Sequence, residues 1–405
     1  MKCGLLGEKL GHSYSPQIHG YLGSYDYQLF EKQPDALEDF LKNGDFHGLN
    51  VTIPYKKAVI PYLSQLSPVA AKLGAVNTVV RREDGSLIGH NTDYFGFRTM
   101  VEASGLQVAG KKALVLGSGG ASNTAVAVMK ELGCEVVVIS RSAENNYSNL
   151  ERHRDAAIIV NCTPVGMYPN VDASPVSLEQ FPALEGVLDL IFNPARTRLL
   201  QEAEARGIVA MNGLLMLVAQ AKESAEWFTG SALDPNLIGS IHQKLQKQME
   251  NIVLIGMPGS GKSSVAAELA RCTGRTVVDA DAEIVAAAGM SIPEIFAQGG
   301  EDAFRKLETQ VLSQLGKQSG IIISTGGGCV TRQENYPLLH QNGRIFWLKR
   351  DISALPTDGR PISQTTNLIT LYEVRRPLYE AFADEIIENS GTLQDAAGRI
   401  LERLL

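Results

Sequence analysis

The sequence predicts an α/β protein built on parallel sheets, and three observations predict it. A β-branched apolar run, Asn251-Ile252-Val253-Leu254-Ile255, feeds Gly256-Met257-Pro258-Gly259-Ser260-Gly261-Lys262-Ser263-Ser264, where an Ala-rich helix opens. Ala113-Leu114-Val115-Leu116 likewise enters Gly117-Ser118-Gly119-Gly120, followed by a helix from Ala121 to Leu132, Gly133, and a second strand from Glu135 to Ile139. Elsewhere short apolar strand signals alternate with helical ones, the pattern of repeated βαβ units.

Length and composition bound the rest. The 405 residues allow two or three domains. Hydrophobic content of 44% with 20% charged residues is that of a globular protein. A net charge of −7 supplies no basic field for nucleic acid or an anionic membrane surface. Small molecules are therefore the expected partners, with anionic ones held by local arginines and lysines. Cys3, Cys134, Cys162, Cys272 and Cys329 form no C-x-x-C pair and read as reduced thiols, neither a disulfide framework nor a zinc site. No apolar run reaches spanning length, and Glu8 and Lys9 follow too soon for a signal peptide, so a cytoplasmic location is expected. Nothing in the pattern specifies an oligomeric state.

In chain order, Cys3–Leu6 reads as a strand, 7–16 as a loop, and Pro16 to Tyr21 as a helix with Ser15 as its N-cap. Gly48 to Lys56 is a strand entering a Pro-bounded turn and then a helix. Residues 1–107 form a first domain, completed by helices in 213–248. Residues 108–212 form a second, in which Asn161 to Met167 and Asp189 to Pro194 are loops at the ligand-facing sheet edge. Leu214 to Phe228 is an amphipathic helix long enough to pack back on the first domain, and Leu237 to Gln248 leads almost directly into Met249. Residues 249–405 form the third domain, with no Gly/Ser or Pro-rich linker before it. Its strands are expected at Thr276–Val278, Gly320–Ser324, Arg344–Leu348 and Glu385–Glu388, and Ser291 to Glu294 has capping-box spacing.

The two glycine turns carry chemistry. The second is the G-x-x-x-x-G-K-[ST] phosphate loop in its strand–loop–helix setting. Its glycines let backbone N–H groups converge on phosphate oxygens, and the helix start adds its positive end. Gly259, Ser260, Gly261, Lys262, Ser263 and Ser264 would hold ATP, with Lys262 on the β- and γ-phosphates and Ser263 on Mg²⁺. The first turn has a dinucleotide-binding, Rossmann-type fingerprint, with Ser122 at the third small position. Gly117, Gly119, Gly120 and Ala121, with Thr163, Leu190 and Gly213 on later strand-end loops, are its cofactor candidates. An acidic residue after the second strand would bind the ribose 2′-OH of NAD; Ser140-Arg141-Ser142 stands there instead. Arg141 suits a 2′-phosphate, hence NADP(H).

Residues 1–240 resemble the shikimate dehydrogenase family in several separate motifs. His12-Ser13-Tyr14-Ser15-Pro16 is similar to that family's S-x-S-P loop, and Asn50-Val51-Thr52-Ile53-Pro54-Tyr55-Lys56 to its N-V-T-x-P-x-K segment. Gly74-Ala75-Val76-Asn77-Thr78, Asn91-Thr92-Asp93 and Leu217-Val218-Ala219-Gln220-Ala221 match further elements. Ketone reduction needs a proton donor at the oxygen that becomes an alkoxide. Lys56 can supply it and Asp93 can orient the lysine, as catalytic pair. Ser13, Ser15, Thr52, Asn77, Asp93 and Gln220 suit a polyhydroxylated ring acid, which the resemblance makes 3-dehydroshikimate or shikimate. His12, His19 and His90 lack metal-ligand spacing. Two departures from the family are visible here. The stretch from Arg141 to Asn161 is short, leaving Arg152 and Arg154 as further 2′-phosphate candidates, and Phe192 stands where the family often has Tyr.

Residues 250–405 resemble the shikimate kinase family, with a P-loop and a central parallel sheet of the nucleoside monophosphate kinase type. Asp279-Ala280-Asp281 is similar to its D-T-D, which implies Mg²⁺ at Asp279 and substrate hydroxyls at Asp281. Gly300-Glu301-Asp302-Ala303-Phe304-Arg305 and Arg375-Arg376-Pro377-Leu378-Tyr379 imply two carboxylate-binding arginines, Arg305 and Arg375. A planar guanidinium suits that role better than an ammonium. Thr325-Gly326-Gly327-Gly328 implies close approach of the ring to Gly327 and Gly328. Gly359-Arg360-Pro361 is similar to the lid R-P-L, which gives Arg360 a catalytic and ATP-binding role, although the stretch from Arg350 to Arg360 is short.

The expectation is a bifunctional enzyme. It would reduce 3-dehydroshikimate with NADPH and phosphorylate the shikimate formed with ATP and Mg²⁺. One alternative is an NAD-dependent quinate/shikimate dehydrogenase joined to a kinase for another hydroxyl acceptor, against which Arg141, Arg305 and Arg375 stand. Another is a ligand sensor with one dead half, which would have lost Lys56, Asp93, Lys262 or Asp279; all four are present.

Overall fold

The computed structural model describes residues 1–11, 13–354 and 368–404. His12 and the lid candidate Arg360 lie outside them. The chain divides into two compact units. The first contains Met1–Gly166, Ala173–Phe192 and Leu199–Lys244. The second contains Met167–Asp172, Asn193–Arg198 and the chain from Leu245 on. Among the described residues no helix is long and apolar enough to cross a membrane.

The first unit holds two sheets. Strands β1 (Lys2–Gly7), β2 (Asp26–Glu31), β3 (Gly48–Val51), β4 (Gln65–Leu66), β5 (Thr78–Arg81) and β6 (Leu87–His90) stand in the order β2-β1-β3-β5-β6-β4. β1 runs parallel to both β2 and β3, while β5 is antiparallel to β3 and β6. Leu6, Leu49, Val51 and Val79 form its core with Leu41 and Tyr55. The helix expected at Pro16 is Ser15–Leu22, and Tyr14, not Ser15, is its N-cap. Ser15 is already inside the first turn, where Pro16 costs no hydrogen bond; its own N–H donates to Ser13 Oγ at 3.2 Å.

The second sheet is parallel throughout. Strands β7 (Lys112–Leu116), β8 (Glu135–Ile139), β9 (Ile158–Asn161), β10 (Gly186–Asp189) and β11 (Val209–Met211) stand in the order β11-β10-β9-β7-β8. Near-continuous apolar strands fit a sheet covered on both faces: Ala113, Val115 and Val160 pack on one side, Leu114, Leu116 and Ile159 on the other. The order reverses at β7 and β9, so the turn after β7 and the loops after β9, β10 and β11 share one edge. The short stretch after Ile139 returns through a single 3₁₀ turn, Leu150–His153, which leaves β8 at the sheet edge.

Helix Leu214–Thr229 crosses helix Asp93–Ala103 closely. A Cβ on Gly96 would lie 2.6 Å from the Met216 carbonyl oxygen, so only glycine permits the crossing.

In the second unit, β12 (Asn251–Ile255), β13 (Val277–Asp279), β14 (Ile322–Ser324), β15 (Gly343–Lys349) and β16 (Glu385–Glu388) form a parallel sheet in the order β13-β14-β12-β15-β16. Helix Lys262–Thr273 leaves the phosphate loop, and the Ser291–Glu294 capping box forms as the spacing predicts. The helix it opens breaks at Gly300, whose φ of 70° no other residue adopts readily. Segments 167–172 and 193–198, which start in the last residues of the loops 161–167 and 189–194 read above as ligand-facing, belong to this unit. The backbone N–H groups of Ala195 and Arg196 donate to Asn342 Oδ1 and the Gln341 carbonyl, each at 2.8 Å.

Candidate active sites

In the first unit, β3 ends where a one-turn helix, Tyr55–Ala58, begins. Buried Tyr55 anchors that turn by donating its hydroxyl to the Lys32 carbonyl at 2.5 Å, and the turn presents Lys56. Asp93 opens its helix just after β6. Lys56 Nζ lies 2.5 Å from Asp93 Oδ2, both side chains partly exposed, whereas Lys57 faces solvent. The pair predicted from motifs far apart in sequence is brought together.

A buried polar network stands behind it. Asn77 Oδ1 accepts the Thr92 N–H at 2.7 Å, and Thr92 Oγ1 donates to Gln220 Oε1 at 3.3 Å. Ser224 Oγ joins Asn50 Nδ2 at 2.7 Å, Thr78 Oγ1 at 2.9 Å and Thr92 Oγ1 at 3.0 Å. Tyr27 donates its hydroxyl to Asn50 Oδ1 at 2.7 Å, and burial pushes its pKa well up, opposed by a hydrogen bond with Ser15. Asn77 and Gln220 are thus tied to one frame. Sequence reasoning missed Ser224 and Tyr27. Ser224 lies four residues after Gln220 on the same helical face, a spacing that by itself names no partner. Thr52 and Ser13 are partly exposed near these elements, and the Tyr14 and Phe192 rings meet edge to face at 5.8 Å.

The cofactor candidates line the second sheet's edge. Gly119 caps helix Gly120–Glu131, and a Cβ on Gly119 or Gly120 would meet nothing, so their backbone faces open space. Gly117 has φ of 106°, and a Cβ there would lie 3.2 Å from the Thr163 methyl. Thr163 Oγ1 donates to Asn161 Oδ1 at 2.7 Å, and Asn161 Nδ2 to Asp189 Oδ1 at 3.0 Å, which locks the loops after β9 and β10 to each other. A Cβ on Gly213 would lie 2.1 Å from the Leu190 carbonyl oxygen, so the β10 and β11 loops close only over glycine. Ala121 is half-buried in the first helical turn, and Arg141 is exposed just beyond β8. An open glycine turn, a free helix start and an unobstructed arginine fit the pyrophosphate and 2′-phosphate of NADP.

In the second unit one cavity of about 750 Å³ gathers the phosphate loop and both motif arginines. Lys262 Nζ lies inside the loop, donating to the Gly256 and Met257 carbonyls at 2.9 and 3.1 Å. Gly259, Gly261, Ser263 and Ser264 line the cavity, and Ser260 is buried behind them. Asp279 caps helix Ala280–Ala288 with one oxygen, and its other lies 3.3 Å from Ser263 Oγ. This hydroxyl and carboxylate at adjacent strand ends suit Mg²⁺, which takes few protein ligands alongside phosphate oxygens and water.

Across the cavity, Arg305 donates Nη1 to Glu308 Oε2 at 2.7 Å and Nη2 to Glu301 Oε1 at 3.1 Å. Arg375 Nη1 and the Tyr379 hydroxyl both donate to the Gly327 carbonyl, at 3.1 and 2.5 Å. A Cβ on Gly328 would fall 2.1 Å from Arg305 Nη2, so that glycine makes room for the guanidinium. Burial, then repulsion from Asp279, raises the Asp281 pKa against the pull of Lys262 and Arg305. Glu308 is fully buried, with burial raising its pKa and Arg305 lowering it. Glu308 and the role of Tyr379 were missed, although Glu308 lies three residues after Arg305, the spacing of a helical ion pair.

Comparison with known proteins gives a family for each part of the chain. Residues 5–79 match the family model "Shikimate dehydrogenase substrate binding domain", and residues 258–405 match "Shikimate kinase". The shikimate dehydrogenase (NADP(+)) of Clostridium perfringens is 34% identical over 265 residues, covering 60% of this chain and 97% of its own length. The crystal structure of shikimate dehydrogenase 1 from Peptoclostridium difficile aligns at 39% identity with a TM-score of 0.56, over 60% of this chain and 97% of that one. The Thermus thermophilus enzyme, solved with NADP(H) and shikimate, aligns at 34% identity with a TM-score of 0.55, over 60% and 99%. With Lys56 against Asp93 in one unit and a phosphate loop facing paired arginines in the other, the chain belongs to the shikimate dehydrogenase family, carries a shikimate kinase family region after it, and is an enzyme of both kinds that uses NADP and ATP.

Proposed function

We propose that the protein catalyses two successive reactions in the cytoplasm: NADPH-dependent reduction of 3-dehydroshikimate to shikimate, and transfer of the ATP γ-phosphoryl group to the shikimate 3-hydroxyl. Residues 1–107 with 213–248 would be the dehydrogenase substrate domain, 108–212 the NADP domain and 249–405 the kinase. The observation that carries the reading is the 2.5 Å pairing of Lys56 with Asp93, matched by one cavity holding Lys262, Asp281, Arg305 and Arg375.

Gly117 to Ala121, Thr163, Leu190 and Gly213 would hold NADPH, with Arg141 for its 2′-phosphate, and the cofactor would supply a hydride when bound. Lys56 gives a proton to the carbonyl oxygen as it becomes an alkoxide, and Asp93 keeps Nζ aimed at that atom. Ser13, Ser15, Thr52, Asn77 and Gln220 hold the ring's carboxylate and hydroxyls. In the kinase, Arg305 and Arg375 hold the carboxylate and Asp281 a ring hydroxyl. Gly327 and Gly328 let the ring approach the backbone. Lys262 and Arg360 would offset charge on the phosphates, and Ser263 and Asp279 would hold Mg²⁺, which would add positive charge there. Catalysis of this kind is positioning and electrostatics.

The test supplies 3-dehydroshikimate, NADPH and MgATP to the purified chain and follows products by mass. Shikimate 3-phosphate that depends on both cofactors is the expected result. Absence of NADPH consumption would overturn the dehydrogenase half, and accumulation of shikimate alone would overturn the kinase half.

A further inference from the structure

Arg350 follows β15 directly and lines the cavity that the phosphate loop opens into. Its position is fixed by the sheet. β15 runs parallel to β12 with Trp347 opposite Ile255, and the Leu348 carbonyl lies only 2.7 Å from where a Cβ on Gly256 would stand. The residue after Lys349 is therefore held beside the first turn of the phosphate loop. Lys349 itself is neutralised across the strands, its Nζ 2.8 Å from Glu388 Oε1.

Arg350 is half-buried, and among the described residues no ion pair or hydrogen bond occupies it. Of the cavity's acidic groups, Asp279 caps a helix and faces Ser263, and the other two are taken by other cations. Asp281 feels Lys262 and Arg305, and Glu308 feels Arg305 and Arg375. An unpaired guanidinium in a partly desolvated cavity is unfavourable until an anion meets it. Its planar donor fork matches phosphate oxygens. The anion that fits the place, beside the phosphate loop, is the phosphate chain of the nucleotide.

We propose that Arg350 is a phosphate-binding arginine of the kinase site, fixed on the sheet rather than carried on a lid. It would supply a preorganised positive charge to the nucleotide where the stretch leading to Arg360 is short. This rests on the kinase reading only in taking ATP as the ligand. It adds a residue that neither the phosphate-loop motif nor the two carboxylate-arginine motifs contain.

The test titrates the full chain, as wild type, Arg350→Ala and Arg350→Lys, with the magnesium complex of a non-hydrolysable ATP analogue, and measures kinase kinetics alongside. Thermal unfolding and dehydrogenase turnover check that each variant folds. The expected result is about tenfold weaker analogue binding for Arg350→Ala, the loss typical of a charge-assisted hydrogen bond. Arg350→Lys should recover part of it, and the KM for shikimate should stay within about twofold of wild type. Analogue binding and kcat both unchanged in Arg350→Ala would overturn the assignment. A wild type that binds the analogue but does not phosphorylate shikimate would sink the substrate reading, and the binding comparison would still decide on Arg350. A wild type that binds no analogue would overturn both.

Discussion

Lys56 and Lys57 are neighbours of the same type, and only their surroundings separate them. Lys56 is paired at 2.5 Å and Lys57 is in solvent. Replacing Lys56 with Ala should lower dehydrogenase kcat by about 10²- to 10⁴-fold, the usual worth of a positioned proton donor. Kinase turnover on added shikimate should be unchanged. NADPH oxidation and ADP release, measured on the same preparation, check both statements. Asp281 gives the residue scale a pH signature. Its pKa is raised from 3.8 by burial and by Asp279, so folding disfavours its ionised form. The sign follows: wild type loses stability relative to Asp281→Asn as pH rises from 3.8 through the raised value, and the difference vanishes in acid, where both side chains are neutral. Chemical unfolding at pH 3 and pH 7 should show Asp281→Asn more stable only at the higher pH, while its kinase activity is lost at both. A variant less stable than wild type at pH 7 would contradict this.

At the scale of elements, motifs announce their own residues but not the partners that hold them. The phosphate loop, Lys56, Asp93 and the two arginines were legible because each chemistry demands a residue type at a fixed spacing. Ser224 was not, because a serine inside a helix carries no signal until Asn50, Thr78 and Thr92 converge on it from three other segments. Nor was the Ser15 cap, since Ser-Pro reads equally as N-cap and N1 or as N1 and N2; the backbone selects the second. Ser224→Ala should leave Asn50 and Thr78 short of a partner and cost about 1–3 kcal/mol of stability. It should also raise the dehydrogenase KM through Gln220 and Asn77, with little change at the kinase. Gly327→Ala probes the loop after β14. Its Cβ would lie 2.6 Å from Pro258 Cδ and 2.9 Å from Pro258 N, a rigid ring within the phosphate loop that cannot step aside. The KM values for ATP and shikimate should therefore rise together, although Gly327 touches only one of those sites. A rise in the shikimate value alone would mean that the glycine loop yields instead of Pro258.

Over the whole molecule, the alternation of strands and helices gave the parallel sheets and their glycine turns. Which strands sit at the edges emerged only from packing, as with β8, left exposed by the short return through Leu150–His153. The same scale decides how the two reactions are joined. The residues proposed for reduction and those proposed for phosphoryl transfer do not overlap, and the chain's net charge of −7 gives shikimate, itself an anion, no general attraction to the protein surface. Each site must hold it with its own cations and hydroxyls, and the first must let go before Arg305 and Arg375 can close on the carboxylate. Shikimate should then pass through free solution. A mixture of Lys56→Ala and Lys262→Ala chains, each dead in one half, should form shikimate 3-phosphate from 3-dehydroshikimate, NADPH and MgATP after a lag. That lag should shorten as more Lys56→Ala chain, the kinase donor, is added. Wild type at the same concentration of each working site should show the same lag, because in both cases the kinase sees only the shikimate that has accumulated. A wild type without a lag, beside a mixture that has one, would mean that covalent linkage delivers the intermediate directly.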